Sequence, residues 1–554
     1  MPNFDFNAFF RQFLFDPANP LLFNNGFFVF FFAIFITLYY TFRENLKVRR
    51  YIFCFFSLYF FYKASGSFVL LVVLSAIVDF LLSNAIWKEE RKGRRKLLLL
   101  ASIVFNLGLL VYFKYTDFFI SLSNEFFATG FNPLNLVLPI GISFFTFENL
   151  SYTLDVYRKQ FEPAKKFTDY LLFLSFFPKL VMGPIVRAHD FVPQINKPYA
   201  ITETDFAKGF YLIISGLIKK LVISDYITLN FVNYVFDDPT RYTGLENLMA
   251  VYGYAIVIYC DFSGYSDIAI GIARWLGFTI PPNFLSPYQS KNITEFWRRW
   301  HISLSSWLRD YLYIPLGGNR NSSTGTWIFS IMFFGGLFFA GMYAFHFPWW
   351  TAALISGAVL FVFLLPSLIS KENRGGAAAN MNLLTTMLLG GFWHGANWNF
   401  IVWGALHGIA LAVHKIWLIV TGKRLAAING SRWYNAIALL ITFHFVCFCW
   451  IFFKTADFDV ATNDFDKALA MISQITGNFD LSVWPAFAAN YWPVLVMMGI
   501  AYLLHAFPDD LADRVISRFR LVPLTAYLGV FFLFVLLYGY FKSAEPVMPI
   551  YLQF

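Results

Sequence analysis

The chain has 554 residues, of which 58% are hydrophobic and only 14% are charged. Soluble domains carry about 25% charged residues, so this composition excludes an ordinary soluble enzyme and indicates a polytopic membrane protein. The net charge of +9 is divided among short basic clusters between apolar segments. That distribution is typical of cytoplasmic loops and argues against binding to nucleic acid.

Apolar segments recur from residue 26 to residue 541 without a long polar linker, so we expect a single integral membrane domain over residues 1–554. Beyond residue 169 the segments vary in length and contain Gly, Pro, Asn and Asp. We expect an all-α protein with roughly eleven to fourteen membrane-embedded helices, some of them re-entrant. The four cysteines lie in apolar runs, and we expect them to be buried. No ligand spacing predicts a metal site.

Three basic segments orient the chain: RENLKVRR at 43–50, KEERKGRRK at 88–96 and RKQFEPAKK at 158–166. An even number of apolar tracts separates each from the next, so all three fall on the same side of the membrane. The positive-inside rule places that side in the cytoplasm and the N-terminus outside. The first residues lack the basic region and the cleavage site of a removable signal peptide.

The segment 292–320, NITEFWRRWHISLSSWLRDYLYIPLGGNR, predicts an amphipathic helix that starts with a capping box of Asn292 and Glu295 and ends before Pro315. Each arginine at the bilayer centre would cost about 2.5–3.5 kcal/mol, so we expect this helix at the interface or beside a water-filled cavity. His301 falls at the edge of the apolar stripe. The pattern favours a ring that faces lipid headgroups, and a functional role is the alternative.

Residues 388–408, LLGGFWHGANWNFIVWGALHG, place two histidines in an apolar tract. We expect a helix to end or bend at Gly395, which would leave Asn397 as a polar partner for His394. A buried imidazole without a partner costs a few kcal/mol, so His394 is either a hydrogen-bonding group between helices or a functional group. His407 and His414 share one helical face, and packing is their favoured interpretation.

Two carboxylates, Asp261 and Asp267, lie in the apolar stretch YCDFSGYSD. They could carry protons or ions, but we expect them to pair with buried arginines such as Arg298 or Arg309. The segments 138–158 and 176–188 combine Pro and Gly with polar residues, which predicts irregular helices around a pore or tunnel.

Five tracts together resemble the membrane-bound O-acyltransferase family, in its bacterial branch of polysaccharide O-acetyltransferases such as the alginate enzymes. They occur in the family's order within core motifs at about 135–455: LPIGISFFTFENLSYTLDVYR, FFPKLVMGPIVRA, YCDFSGYSDIAIGIARWLGF, PPNFLSPYQSKNITEFWRRWHISLSSWLRDYLYIPLGGNR and GGFWHGANWNFIVWGALHG. Lys179 departs from the family pattern, in which a neutral residue is expected. The C-terminal helices at 470–554 are less diagnostic and are a candidate docking region for a partner.

The resemblance implies a ring of tilted helices around a tunnel that contains His394, with His301 as a second polar position. His394 would act as general base on a hydroxyl that attacks a thioester, or would itself become acylated. His301 would orient the donor or stabilise the oxyanion, helped by the indoles of Trp297 or Trp393. The further candidates for the tunnel or for donor binding are Arg298, Arg299, Arg309, Asn397 and His407.

The expected donor is an acyl thioester, either acetyl-CoA or an acyl carrier protein, and it is a substrate, so we expect no bound cofactor. The resemblance places the chain in the bacterial inner membrane, where a periplasmic acetyltransferase partner and an exopolysaccharide would accept the acetyl group. Two alternatives remain from the residues: a transporter for polysaccharide or lipid-linked sugar, and a non-catalytic scaffold for a periplasmic acetyltransferase.

Overall fold

The computed structural model describes residues 10–23, 25–343, 348–369, 376–422, 430–456, 464–508, 510–541 and 547–552, and every regular element in these ranges is a helix. The α-helices are α1 (Gly26–Thr41), α2 (Leu46–Ser65), α3 (Val69–Lys88), α4 (Lys92–Phe127), α5 (Ile142–Tyr157), α6 (Phe167–Ser175), α7 (Phe177–Leu180), α8 (Ala188–Ile195), α9 (Glu203–Leu217), α10 (Asp225–Ile227), α11 (Asn233–Asp237), α12 (Gly244–Trp275), α13 (Ile293–Arg299), α14 (Ile302–Leu308), α15 (Thr324–Tyr343), α16 (Trp349–Ile369), α17 (Gly376–His394), α18 (Trp398–Thr421), α19 (Arg432–Thr455), α20 (Asp464–Gly477), α21 (Trp484–Ala506), α22 (Asp510–Phe519) and α23 (Leu524–Phe541). Segments of π-helix occupy Ile218–Ser224, Thr228–Val232 and Arg309–Tyr313. The predicted all-α class is confirmed.

Seven helical stretches in the described ranges are long and apolar enough to cross a membrane. They are Leu46–Lys88, Lys92–Phe127, Gly244–Trp275, Trp398–Thr421, Arg432–Thr455, Trp484–Ala506 and Leu524–Phe541, and three shorter apolar helices are Gly26–Thr41, Thr324–Phe339 and Trp349–Leu365. A turn divides the first stretch at Gly66, whose φ of 62° is unfavourable for residues with a side chain. A multi-pass membrane protein is therefore confirmed, whereas the side on which each loop lies stays a prediction.

The chain divides into two compact units. The first takes in Met1–Leu229, Ile256–Asn283 and Pro508–Phe554, and the second takes in Asn230–Ala255 and Phe284–Phe507. The four cysteines are buried as expected and form no disulfide.

Several buried charges in the first unit are paired with opposite charges. Lys220 Nζ lies 2.6 Å from a carboxylate oxygen of Asp261 and 2.8 Å from one of Asp225. Lys219 Nζ lies 2.7 Å from Asp267. The expectation that the two carboxylates pair is thus correct, but the choice of arginine partners was wrong. The partners are lysines of the π-helical segment that follows α9, because helix packing brings that segment beside α12. No local sequence pattern specifies this contact.

Lys179, the departure from the family pattern, is also neutralised within the first unit. Its ammonium pairs with the buried carboxylate of Glu148, which also accepts a hydrogen bond from the Val186 N–H at 3.1 Å. The pair joins the tract at 138–158 to the tract at 176–188, and the second is irregular as predicted, with only the short helix α7 before a buried extended stretch. Burying this lysine is tolerable because the carboxylate is buried with it.

The predicted amphipathic helix is not continuous. It starts as expected, since the Asn292 side chain accepts a hydrogen bond from the Glu295 N–H at 2.8 Å, but it breaks after Arg299 and resumes at Ile302. At the break His301 adopts a left-handed conformation with φ 41°. Neighbouring residues of a regular helix point about 100° apart, so the break allows both Trp300 and His301 to be buried. The helical stretch ends at Tyr313, before Pro315, as predicted.

Helices α17 and α18 form a hairpin in close contact in the second unit. A Cβ atom added to Gly391 would fall on the Phe400 carbonyl oxygen, and one added to Gly404 would fall on the Met387 carbonyl oxygen. Only hydrogen fits at these two positions, as in other close contacts between membrane helices. The turn is held by Asn397, whose side chain accepts the Asn399 N–H at 2.8 Å and caps α18.

This contact predicts that Gly404→Ala destabilises the protein, by about 1–3 kcal/mol, because the added methyl group overlaps the backbone of α17. The melting temperature of the purified protein in detergent measures the effect. Gly335→Ala in α15 is the matched control, since no atom lies within 4 Å of a Cβ built there. Equal melting temperatures for the two variants would show that the hairpin does not depend on this contact.

Candidate functional site

The predicted histidines meet in one buried group of rings in the second unit, which we call the histidine–tryptophan cluster. Its members are Trp297, His301, Trp393, His394, Trp403 and His407. Helix α17 ends at His394, as expected, and this places its ring 4.9 Å from that of Trp393 and 5.0 Å from that of Trp403. The structure therefore brings His301, His394 and His407, which are far apart in sequence, into one cluster.

Contacts between rings connect the cluster from end to end. The centroid of His301 lies 6.5 Å from that of Trp393. On the other side of His394, Trp403 lies 4.7 Å from His407, and Trp297 lies 5.2 Å from His407. The left-handed turn at His301 and the glycine contact between α17 and α18 are what bring these rings together.

All three histidines of the cluster are buried. The exposed fraction is 3% for His394 and 0% for both His301 and His407. The expectation that His301 faces lipid headgroups was therefore wrong, because the break after Arg299 turns its ring inward. The walls around His394 are aromatic: Phe453 lies at 5.1 Å and Phe400 at 6.2 Å. Charges that develop here would be poorly screened, so polar groups in this site act strongly.

His407 has a defined tautomer. The Trp297 indole N–H donates to His407 Nδ1 at 3.3 Å, so the ring proton resides on Nε2. That Nε2 is buried and finds no hydrogen-bond partner among the described residues, and the same is true of the indole N–H of Trp403. A buried donor without an acceptor costs about 1–3 kcal/mol. Two such donors within one cluster are an arrangement suited to a bound carbonyl or oxyanion.

Burial also determines the charge of His301, which lies outside the candidate membrane-spanning helices. Removal from water lowers the pKa of His301 to about 3, because the charged form is poorly solvated there. The ring is therefore neutral at physiological pH. It can donate or accept a hydrogen bond, but it cannot supply a positive charge.

The three arginine candidates have separate surroundings. Arg299 pairs with Glu295 at 3.1 Å, and Arg309 pairs with Asp310 at 2.7 Å and is 64% exposed at its side chain. Arg298 is exposed and lines a groove beside the cluster. The role of these arginines in donor binding stays a prediction.

Asn397 has a structural role at the site. Besides capping α18, its amide donates to Asp464 at 2.8 Å and so ties the turn after His394 to the start of α20. His414, seven residues after His407, lies outside the cluster, where its Nδ1 is 2.8 Å from the Thr294 hydroxyl. The favoured packing interpretation thus fits His414, whereas His407 belongs to the cluster.

Sequence reasoning missed Trp403, which contacts His394, His407 and Trp297. A signal was present, since Trp403 precedes His407 by four residues and therefore shares its helical face. It also missed Trp450, whose ring lies 5.0 Å from Trp300 and 6.0 Å from Trp403. No local pattern in α19 distinguishes that residue from its aromatic neighbours.

These features define a polytopic helical membrane protein with a buried site of imidazoles and indoles. The model of the membrane-bound O-acyltransferase family matches residues 56–355, which is more than half of the chain and includes His301. The chain therefore belongs to the membrane-bound O-acyltransferase family, and it is an acyltransferase.

Similar proteins fall into three groups by name. The peptidoglycan O-acetyltransferase of Helicobacter pylori is 33% identical over 432 residues, which cover 73% of this chain and 71% of the relative. The probable alginate O-acetylase AlgI of Pseudomonas aeruginosa is 34% identical over 450 residues, with 80% and 73% covered. The teichoic acid D-alanyltransferase of Bacillus subtilis is 28% identical over 333 residues, with 59% and 71% covered.

The lowered pKa of His301 predicts acid sensitivity. An unfolded histidine titrates near pH 6.5, so the stabilisation from keeping this ring neutral is complete above that pH and is lost as the pH falls toward 3. Between pH 7.5 and pH 5 the loss is about 2 kcal/mol. Melting temperatures of the purified protein at the two pH values should therefore differ less in His301→Asn than in the wild type, since asparagine does not titrate and tolerates left-handed backbone.

His444, which lies on the protein surface outside the histidine–tryptophan cluster, provides the control. His444→Asn should keep the wild-type pH dependence. If His301→Asn loses as much stability on acidification as the wild type, burial of His301 does not contribute to acid sensitivity.

Proposed function

We propose that this acyltransferase moves an acetyl group from a cytoplasmic thioester, across the bacterial inner membrane, to a hydroxyl acceptor on the periplasmic side, for acetylation of an exopolysaccharide. The names of the relatives support acyl transfer to a cell-surface polymer. Relatives at 33–34% identity are named for acetyl transfer, and a relative at 28% is named for D-alanyl transfer, which favours acetyl here. The observation that carries the proposal is the burial of His394 beside two donors that find no acceptor among the described residues.

In the proposed reaction His394 is the general base. Its imidazole takes the proton of the acceptor hydroxyl while the hydroxyl oxygen forms a bond to the thioester carbonyl carbon. The tetrahedral oxyanion then collapses, the carbon–sulfur bond breaks, and the thiolate leaves and recovers the proton from the imidazolium. An acyl-histidine intermediate is the alternative route through the same residue.

Neutral donors would stabilise the oxyanion. The Nε2–H of His407 and the indole N–H of Trp403 would fill this role, because both are buried and find no partner among the described residues. Fixed donors in an apolar site stabilise developing charge without reorganisation. Trp297 would act as a positioning residue, because its hydrogen bond keeps the proton of His407 on Nε2. His301, neutral at the far end of the cluster, would orient the donor through a hydrogen bond.

The proposed partners follow from the same scheme. The donor is acetyl-CoA or an acyl carrier protein, and the N-terminus lies in the periplasm. The immediate acceptor is either the polymer or a periplasmic acetyltransferase that passes the group on, for which α21 to α23 are the candidate docking region. Neither a transporter nor a non-catalytic scaffold requires His394 to take a proton from an acceptor hydroxyl.

His394→Ala should abolish acetylation, because the Nδ1 of His407 is occupied by the Trp297 N–H and His301 lies at the far end of the cluster, beside Trp393. The acetyl content of the exported polymer measures this in cells, and transfer from radiolabelled acetyl-CoA or acetylated carrier protein measures it with purified protein. His444→Ala, which removes an exposed histidine, should retain activity. Normal acetylation by a correctly inserted His394→Ala protein would rule out the enzymatic role of this residue and favour a scaffold.

Trp403→Phe should lower kcat by roughly 10²–10³-fold with little change in KM, because loss of one oxyanion donor is felt mainly in the transition state. Single-turnover transfer from the labelled donor gives the rate directly. Phe453→Leu changes the aromatic wall around His394 without removing a hydrogen-bond donor, so it should have a much smaller effect on kcat. A Trp403→Phe enzyme with unchanged kcat would exclude this indole from the reaction.

A further inference from the structure

A separate groove of about 990 Å³ lies in the second unit between α18, α19 and the N-terminal end of α13. Each of the two long helices contributes a single face. Lining residues of α18 include Ala410, Val413 and Trp417, and those of α19 include Tyr434, Ala438 and Ile441. The spacing of three or four residues is that of one helical stripe, so the groove follows the length of both helices.

The walls of the groove are suited to hydrocarbon. Both α18 and α19 are candidate membrane spans, and the side chains at the rim are exposed on the protein surface: 50% for Val413 and 65% for Ile441. In a membrane, such a surface faces acyl chains. Trp417 donates to the Tyr434 hydroxyl at 3.2 Å, and this Trp–Tyr pair is of the type found at headgroup level.

One side of the groove is cationic. Lys291 and Arg298 both line it: Lys291 precedes the Asn292 cap of α13, and Arg298 lies in the last turn of that helix. Neither side chain forms an ion pair with a residue in the described part of the chain. Glu295 also lines the groove, and its carboxylate is already engaged by the Arg299 guanidinium and by the Lys291 N–H at 3.0 Å.

We propose that this groove binds an anionic phospholipid. The phosphate lies against Arg298 and Lys291, and an acyl chain lies along the aliphatic residues of α18 and α19. Arginine recognises phosphate through paired N–H donors, and basic pockets between membrane helices select anionic headgroups. A soluble thioester donor carries phosphates but has no long chain to fill the apolar stripe, so the combination of charge and length favours a lipid.

The lipid site shares two helices with the histidine–tryptophan cluster but uses other residues of those helices. On α13, Trp297 contacts His407 while the adjacent Arg298 lines the groove. On α18, His407 is in the cluster while Val413 and Trp417 line the groove. A bound lipid would thus support the helices that carry the cluster without contacting the reacting groups. This proposal does not depend on the acyl-transfer reaction.

Native mass spectrometry of the purified full-length protein tests the proposal with phosphatidylglycerol and phosphatidylcholine of identical acyl chains. The wild type should retain phosphatidylglycerol at least about fivefold more tightly, and Arg298→Gln should lose about fivefold of that affinity. Arg320→Gln removes the same charge from an exposed position outside the groove and should bind like the wild type.

A second variant tests the apolar stripe independently of charge. Ala438→Trp fills the groove and should weaken retention of both lipids while Arg298 and Lys291 remain. Coenzyme A is added as a competitor in a further arm. The proposal is overturned if the wild type retains the two lipids equally, if Arg320→Gln weakens binding as much as Arg298→Gln, if Ala438→Trp binds lipid normally, or if coenzyme A displaces phosphatidylglycerol.

Discussion

Contact between the backbones of α17 and α18 is the constraint on which the site depends. Gly391 and Gly404 allow the two helices to approach until only hydrogen fits between them. Because α17 ends at His394 and Trp403 lies one residue before Gly404, this approach sets the imidazole beside the indole. A larger residue at either glycine would move the His394 ring away from the Trp403 ring, so the geometry of the cluster depends on this packing.

The two compact units handle buried polarity in different ways. The first unit compensates several buried charges with opposite charges, as in the pairs of Lys220 with Asp261 and of Lys179 with Glu148. The second unit surrounds neutral imidazoles and indoles with aromatic rings. In the proposed reaction, neutral donors in an apolar wall would bind a neutral thioester without a large desolvation cost, and they would stabilise its oxyanion more strongly than they would in water.

Helix α13 connects this site with the proposed lipid groove. Trp297 fixes the tautomer of His407, and Arg298 faces the groove. Adjacent residues of a helix point in different directions, so a single short helix serves both surfaces. The membrane would then contribute to the geometry of the cluster through the position of α13.

Local features of the sequence determined the helical class, the Asn292 cap and the end of α17 before Gly395, because each depends on residues within one or two turns. The resemblance of five tracts indicated His394 and His301. Tertiary structure alone decided that Lys220, not an arginine, neutralises Asp261, that His301 turns inward at a broken helix, and that Trp403 joins the cluster. Those outcomes depend on contacts between residues far apart in sequence, and hydrophobic periodicity specifies which face of a helix is buried without specifying what it is buried against.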